Sequence, residues 1–444
     1  MVEATTSPMW WLYNVLFPIG FLLLSPFYFW KMARRGNWRA GFGQRFGVYD
    51  DDFRTEIGSG VDVWIQAVSV GEVGIALALI AKLKERQPNL RVALTTTTST
   101  GQAEALKRAP SDVSVAYFPL DWSPITRRAL ALFRPKLFVI VETEIWPNAI
   151  RLAKQSGVKV ALVNGRISDK SFSRYSTFSF CLRGIFSQLD LVLTQSAEEG
   201  KRFSELGARN DAIRPTGQIK FDLGAGDIPV ADGAWKALEH CGVKKDRRIW
   251  VCGSTFSGEE EICLRVANRL REKFPDLFLV LVPRHAERAG EVIGLAEKVK
   301  VQMAVRSRLD AEATAVRSVT NPDCLLVDTT GELRGFYETA SVVFVGKSLT
   351  AHGGQNPIEP VAAGKAILVG PYMENFRDVM AEFRRAGAVQ EVSGEEELAT
   401  ELARLLEDEA ARRDLGTRAR GVVEKNRGAL ARTLEELNRL LRSP

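Results

Sequence analysis

From about residue 60 the chain alternates between short apolar runs and longer stretches with apolar residues three and four apart. Val61–Val68, Arg91–Thr98, Val113–Pro119, Leu137–Glu142, Lys159–Asn164 and Leu189–Gln195 read as strands. Between them, Val73–Arg86, Ile125–Arg134 and Pro147–Gln155 read as amphipathic helices. Strands that are apolar throughout, without in–out alternation, predict a parallel sheet covered by helices on both faces. The pattern breaks at Phe221–Gly233, which is rich in Gly, Pro and Asp and reads as a linker. It resumes with Ile249–Gly253, Leu277–Pro283, Val301–Arg306, Cys324–Asp328, Ser341–Val345 and Ala366–Gly370, and from Glu395 onward the tail is helical. The expected fold class is α/β, with two Rossmann-like, doubly wound domains and a cleft between them. In such sheets ligands bind outside the carboxyl ends of the strands.

A different pattern heads the chain. Met9–Trp30 carries no formal charge, and at about 1.5 Å per residue it is long enough for a hydrocarbon core of about 30 Å. Trp10, Trp11, Tyr28 and Trp30 stand near its ends as an aromatic belt would, and Lys31, Arg34, Arg35, Arg39 and Arg45 come after it. Basic residues after an apolar run place the rest of the chain in the cytoplasm. A membrane-anchor helix is expected here, either single-pass or lying in one leaflet.

Composition narrows the class. At 444 residues the chain is too long for one ordinary core, and 45% hydrophobic with 26% charged residues is a globular balance. The net charge of +6 is too small for its length to point to nucleic acid. Cys181, Cys241, Cys252, Cys263 and Cys324 show no paired spacing, so a disulfide framework is not expected, and Cys252 and Cys324 fall in strand-like runs as small buried thiols. There is no GxGxxG and no P-loop. The only histidines are His240, His285 and His352, without ligand spacing, and Asp50-Asp51-Asp52 reads as a solvated charge run. No metal and no cofactor is expected.

Candidate chemistry gathers at strand ends. The stretch Gly346–Pro360 comes after an apolar strand and leads into a helix start at Pro357. Its glycines at 346, 353 and 354 are expected to let backbone N–H groups approach a ligand, and Glu359 to accept from a ribose diol. Gly253–Gly258, Pro283-Arg284-His285 and Asp328–Leu333 close other strands of the same half. In the first half, Glu72 comes after the first strand at a helix start, where it is either a general base or a carboxylate favouring the helix dipole. Glu142 and Glu144 end the fourth strand, with Glu142 expected to point inward. Asn164-Gly165-Arg166 closes the fifth, and Lys220 stands before the linker, placed to meet a phosphate.

With these motifs in view the chain resembles the Kdo (3-deoxy-D-manno-octulosonic acid) transferases, glycosyltransferases of the GT-B fold. The resemblance rests on Ser69-Val-Gly-Glu72, Glu142-Thr-Glu-Ile-Trp-Pro-Asn148, Gly217-Gln-Ile-Lys220-Phe-Asp222, Val282-Pro-Arg-His285, Thr330-Gly-Glu-Leu333 and Gly353-Gly-Gln-Asn-Pro-Ile-Glu-Pro360. It implies inverting, metal-independent transfer of Kdo from CMP-Kdo to the 6'-hydroxyl of the lipid A precursor lipid IVA, at the cytoplasmic face of the bacterial inner membrane. Glu72 would be the general base, and Glu142 and Lys220 would stabilise the transition state. Pro283, Arg284, Gly331, Glu332, Leu333, Asn356, Pro357, Ile358 and Glu359 would hold CMP. The implied domains are 1–34, anchor and basic flank; 35–225, acceptor binding; and 226–444, CMP-Kdo binding. The aromatic and basic stretch Ser171–Ser187 reads either as a membrane-facing surface or as an ordinary half-buried helix. Rival readings are a transferase acting on a UDP-sugar and a membrane-tethered nucleotide-binding scaffold without turnover.

Overall fold

The computed structural model describes residues 8–35, 41–177, 179–224, 233–312 and 321–442. The chain divides into two compact units, one of residues 1–223 with 427–444 and the other of residues 224–426. The last helix, Ala429–Arg442, which the expected boundaries put with the second half, lies with the first unit. Its Leu434 and Leu437 are buried in that unit's core, and the Asp222 carboxylate accepts the Gly428 and Leu430 N–H groups at 2.7 Å each, capping the helix start.

The first sheet comprises β1 (Val63–Ala67), β2 (Val92–Thr96), β3 (Val113–Tyr117), β4 (Leu137–Val141), β5 (Lys159–Gly165), β6 (Leu191–Thr194) and β7 (Ile213–Pro215). Its order is β3-β2-β1-β4-β5-β6-β7, with every pairing parallel. The second comprises β8 (Ile249–Thr255), β9 (Phe278–Pro283), β10 (Met303–Val305), β11 (Cys324–Leu326), β12 (Val342–Val345), β13 (Ala366–Val369) and β14 (Gln390–Glu391). Its order is β10-β11-β9-β8-β12-β13-β14, again all parallel. Both sheets reverse strand order beside their first strand, between β1 and β4 and between β8 and β12. Crevices open at such switch points.

Buried aliphatic side chains on both sheet faces explain the unbroken apolar strands. In the first unit Trp64 is fully buried against Phe133 and Phe138, at ring centroid distances of 4.9 and 4.6 Å, and its indole N–H donates to Thr95 Oγ1 at 2.8 Å. Cys252, Cys263 and Cys324 lie in the second core as free thiols. Every expected strand is present. The edge strands β7 and β14 are additional, because Ile213-Arg-Pro and Gln390-Glu are not apolar runs. The expected linker begins as a helix, Ile219–Gly224, with Phe221 fully buried; its residues 225–232 lie outside the described ones.

The segment Ser171–Ser187 forms two helices, Asp169–Thr177 and Ser179–Phe186. Phe172, Tyr175 and Leu182 pack on the core and Ile185 and Phe186 are buried, which is the half-buried arrangement. Asp50 caps the helix Asp51–Ile57 by accepting the Phe53 N–H at 2.8 Å, with Asp51 and Asp52 in its first turn, so this charge run is a helix start.

The helix Pro8–Arg35 docks on the first unit through polar contacts within its apolar stretch. Tyr13 donates its hydroxyl to Asp121 at 2.9 Å, and Asn14 and Asn148 exchange amide hydrogen bonds at 3.1 and 3.0 Å. The Arg151 guanidinium lies over the Trp10 ring at 4.9 Å. The fully buried Asp121 also accepts the Asn148 and Ala149 N–H groups, and burial pushes its carboxyl up to about 6. The opposite face is bare, with Trp11 71% and Leu23 76% exposed alongside Leu12, Leu16, Ile19 and Leu22. Among the described residues no helix is long and apolar enough to cross a membrane, so the single-pass expectation gains no support. Arg45, expected in the basic flank, stacks over the Tyr117 ring at 3.9 Å, while residues 36–40 and the side chains of Tyr28, Trp30, Lys31, Arg34 and Arg35 lie outside the described ones.

Candidate active site

In the first unit, β1 runs out at Ala67 and Ser69 caps the helix Val70–Arg86. Glu72 sits in that helix's first turn and is 6% exposed. Its Oε2 accepts the Val68 N–H and its Oε1 accepts the Ser69 hydroxyl, both at 2.7 Å. This is close to the Ser-x-x-Glu capping pattern, a local structural role for Glu72 besides the helix-dipole one expected from sequence. The carboxyl is nevertheless pushed up to about 7, mainly by burial and then by the neighbouring negative charge of Glu142, against the lowering effect of its two donors and with a smaller push from Glu144. A carboxyl held near neutral pH can take a proton from a hydroxyl at working pH.

Glu142 comes directly after β4 with φ at +60°, a left-handed backbone that non-glycine residues rarely adopt. Its carboxylate meets the Lys220 ammonium at 3.1 Å, and both side chains are partly buried. The link between them is Asn164, fully buried and also left-handed with φ at +55°. Asn164 Oδ1 accepts the Ile219 N–H at 3.0 Å, while its Nδ2 reaches Glu142 Oε1 at 3.4 Å. The β5–β6 pairing shifts register across this position. Bulges and left-handed residues concentrate where a side chain has to be re-aimed. Read from sequence, Asn164 is no more than part of a strand end. The Asn-Gly dipeptide after an apolar strand is the available signal, since asparagine tolerates the left-handed region best after glycine.

Glu72, Glu142, Glu144 and Lys220 are therefore brought together at the switch point of the first sheet. Glu144 is also pushed up by burial and by Glu142. Among the described residues, Gln218 Nε2 and Trp146 Nε1 are buried donors without a hydrogen-bond partner. A cavity of about 470 Å³, lined by Arg127, Arg134, Leu152 and Val158 among others, opens at the other end of the sheet, before β4 and β5, and is not part of this site.

In the second unit, Glu359 lies near groups that follow β9, β11 and β12. This carboxyl is pushed up by burial and eased by its hydrogen bond from Asn356 and by the charges of Arg334 and Arg284. Asn356 Nδ2 donates to Glu359 Oε1 at 3.0 Å, and Asn356 Oδ1 accepts the Ile358 N–H at 3.0 Å. Pro357 and Ile358 are buried, and their helix, Ile358–Ala362, is a single turn. Pro283 ends β9, buried, and places the exposed Arg284, whose N–H donates to Thr255 O at 3.0 Å. Gly331 is exposed with φ at +88°, and nothing lies within 4 Å of where a Cβ would stand. The Glu332 carboxylate is committed to Arg306 at 3.0 Å and to the Thr329 hydroxyl at 2.8 Å, and Leu333 starts the next helix, half-buried.

The glycines of the 346–360 stretch need a correction. A Cβ on Gly346 would meet Ser254 O and Thr255 Cα at 2.5 Å each, and one on Gly354 would meet the Met373 sulfur at 2.4 Å. On Gly353, with φ at +114°, it would meet Asn375 Nδ2 at 2.7 Å. The close approach these glycines permit is to the protein's own chain, which packs this turn against its neighbours. Among the described residues no group of His, Cys, Asp and Glu gathers that could hold a metal ion.

Residues 40–223 match the family model "3-Deoxy-D-manno-octulosonic-acid transferase (kdotransferase)", and residues 253–422 match "Glycosyl transferases group 1". The chain is 33% identical to a 3-deoxy-D-manno-octulosonic acid transferase of Haemophilus influenzae, over 90% of its own length and 91% of the relative's. It is also 33% identical to the enzyme of that name from Bordetella pertussis, over 92% and 94%. Among solved structures, a UDP-GlcNAc 2-epimerase from Neisseria meningitidis superposes with a TM-score of 0.53 at 12% identity, covering 85% of this chain and all of that one, a likeness of fold alone.

Proposed function

The chain belongs to the 3-deoxy-D-manno-octulosonic acid transferase family and is a glycosyltransferase of the GT-B fold, and from that premise we propose that it transfers Kdo from CMP-Kdo to the 6'-hydroxyl of lipid IVA. The transfer inverts the sugar carbon, uses no metal, and serves lipopolysaccharide biosynthesis at the cytoplasmic face of the bacterial inner membrane. The observation that carries this reading is the buried Glu72, with its carboxyl near 7, beside the Glu142–Lys220 pair. Glu72 takes the proton of the acceptor hydroxyl as its oxygen bonds to the anomeric carbon of Kdo. The bond from that carbon to the CMP phosphate oxygen breaks, and its electron pair leaves with CMP. Glu142 and Lys220 stabilise the charge that develops, with Lys220 also favouring the departing phosphate.

The second unit holds the nucleotide. Arg284 is the cationic group, Asn356 and Glu359 supply polar side chains, and Pro283, Gly331, Glu332, Leu333, Pro357 and Ile358 supply the main-chain frame. The acceptor is collected from a lipid surface. The bare face of the helix Pro8–Arg35, from Trp11 to Leu23, suits a helix lying in one leaflet while Tyr13 and Asn14 tie it to the first unit.

The test is to incubate the purified full-length chain with CMP-Kdo and lipid IVA, then measure CMP release and the mass of the lipid product. One Kdo residue gained per CMP released, at a rate that EDTA leaves unchanged, is the expected result. Turnover of UDP-sugars in place of CMP-Kdo, or CMP binding without any transfer, would sink the proposal. Trp11→Ser with Leu23→Ser should reduce co-sedimentation with anionic vesicles, and unchanged co-sedimentation would remove this helix from membrane binding.

A further inference from the structure

The second unit contains a carboxylate that the reaction does not use and that is wholly enclosed. Glu259 opens the helix Glu259–Leu270 and has no exposed surface. Its Oε2 accepts the N–H groups of Phe256 at 2.8 Å and Lys347 at 2.7 Å, and its Oε1 accepts those of Ser348 and Leu349 at 2.9 Å each. One donor belongs to the turn after β8 and three belong to the turn after β12. These are the two turns that flank the switch point of the second sheet.

Both turns have backbones that need holding. Ser254 and Lys347 are left-handed at φ of +54° and +55°, and the β8–β9 register shifts between Gly253 and Thr255. Gly346 packs against Ser254 and Thr255 with no room for a Cβ. The rest of the stretch hangs on the stapled part, because the Gly354 N–H donates to Lys347 O at 2.9 Å and the Gln355 N–H to Gly346 O at 3.2 Å. Asn356 and Glu359 come directly after. Converging backbone amides form a nest that binds anions, and here the anion is internal.

We propose that Glu259 is a positioning residue of the nucleotide-binding half. Its carboxylate fills an amide nest between the β8 and β12 turns and thereby sets the place of Asn356–Glu359. The nest is thus closed to ligand phosphate. This rests on the reading that this sheet edge binds CMP.

The experiment is CMP titration of the full-length chain by calorimetry, with thermal melts alongside. Glu259→Ala should weaken CMP binding about tenfold or more, given the usual strength of charge-assisted hydrogen bonds. It also vacates a space shaped for a small carboxylate, so acetate should restore affinity to the variant in a saturable way while leaving the wild type unchanged. Glu259→Gln sets an amide NH₂ against two N–H donors and should lose affinity as well, which keeps the test open if the alanine variant does not fold. Wild-type CMP affinity in either folded variant, even with a lowered melting temperature, would overturn the positioning role. So would an affinity loss in Glu259→Ala that acetate leaves untouched. If the wild type itself fails to bind CMP, the site reading falls first, and the two failures are therefore distinct.

Discussion

Glu72 and Glu259 occupy comparable places in the two units: each stands in the first turn of the helix after the opening strand, directly after a glycine, in Ser69-Val-Gly-Glu72 and Phe256-Ser-Gly-Glu259. An ionised carboxylate offers about four lone-pair positions. Glu259 has four backbone N–H donors and no surface, so its acceptor capacity is used up. Glu72 has two donors, lies beside the acids Glu142 and Glu144, and keeps capacity open. Position in the fold therefore does not decide the role of such a glutamate. One has become a staple and the other a group able to exchange a proton, and the number of donors around each makes the difference.

The sharpest way to break this comparison is Glu72→Gln, which keeps the shape and removes the base. Transfer should fall by a factor of about 10² or more, while CMP affinity stays at the wild-type value. Retained turnover would leave Glu72 a capping residue like its counterpart. Lys220→Ala comes next, with kcat expected to fall by about 10²-fold; a change in KM alone would reduce Lys220 to substrate binding.

The pH profile gives a third test. Glu72 acts as a base only when ionised, and its carboxyl is raised to about 7. Accordingly, kcat/KM should rise tenfold per unit below about pH 7 and level off above it. A profile already flat at pH 5.5 would contradict the raised carboxyl. The smallest effect is on stability. A carboxyl raised on folding keeps a proton that the unfolded chain has lost, so its ionisation costs stability as pH rises from about 4.5 to 7, by roughly 1–3 kcal/mol at most. Glu72→Gln should therefore melt a few degrees higher than wild type at pH 8, a difference that vanishes near pH 4.5. Glu259→Gln should melt lower. Two melting shifts of the same sign would remove the contrast.

Much of the fold was legible because buried parallel strands are apolar from end to end. Every strand long enough to carry that signature was placed, and Pro147 marked a helix start correctly. Edge strands β7 and β14, the joining of Ala429–Arg442 to the first unit, and the polar docking of the helix Pro8–Arg35 were not legible. Each depends on partners far away in sequence: Asp222 for the last helix, Asp121 and Asn148 for the first.

The same division runs through the site. The local sequence determined that Glu72, Glu142, Arg284 and the Asn356–Glu359 stretch follow strands, and that Lys220 stands before the linker, because strand and helix periodicities are local. Only the tertiary structure decided how those groups behave. It raised Glu72 by burying it near Glu142, linked Glu142 to Ile219 through a left-handed Asn164, and turned the glycines of the 346–360 stretch toward the chain itself. It also filled a nest of four amides with Glu259. Charge state and hydrogen-bond saturation depend on the groups that folding brings around each side chain, and a local pattern does not carry that information.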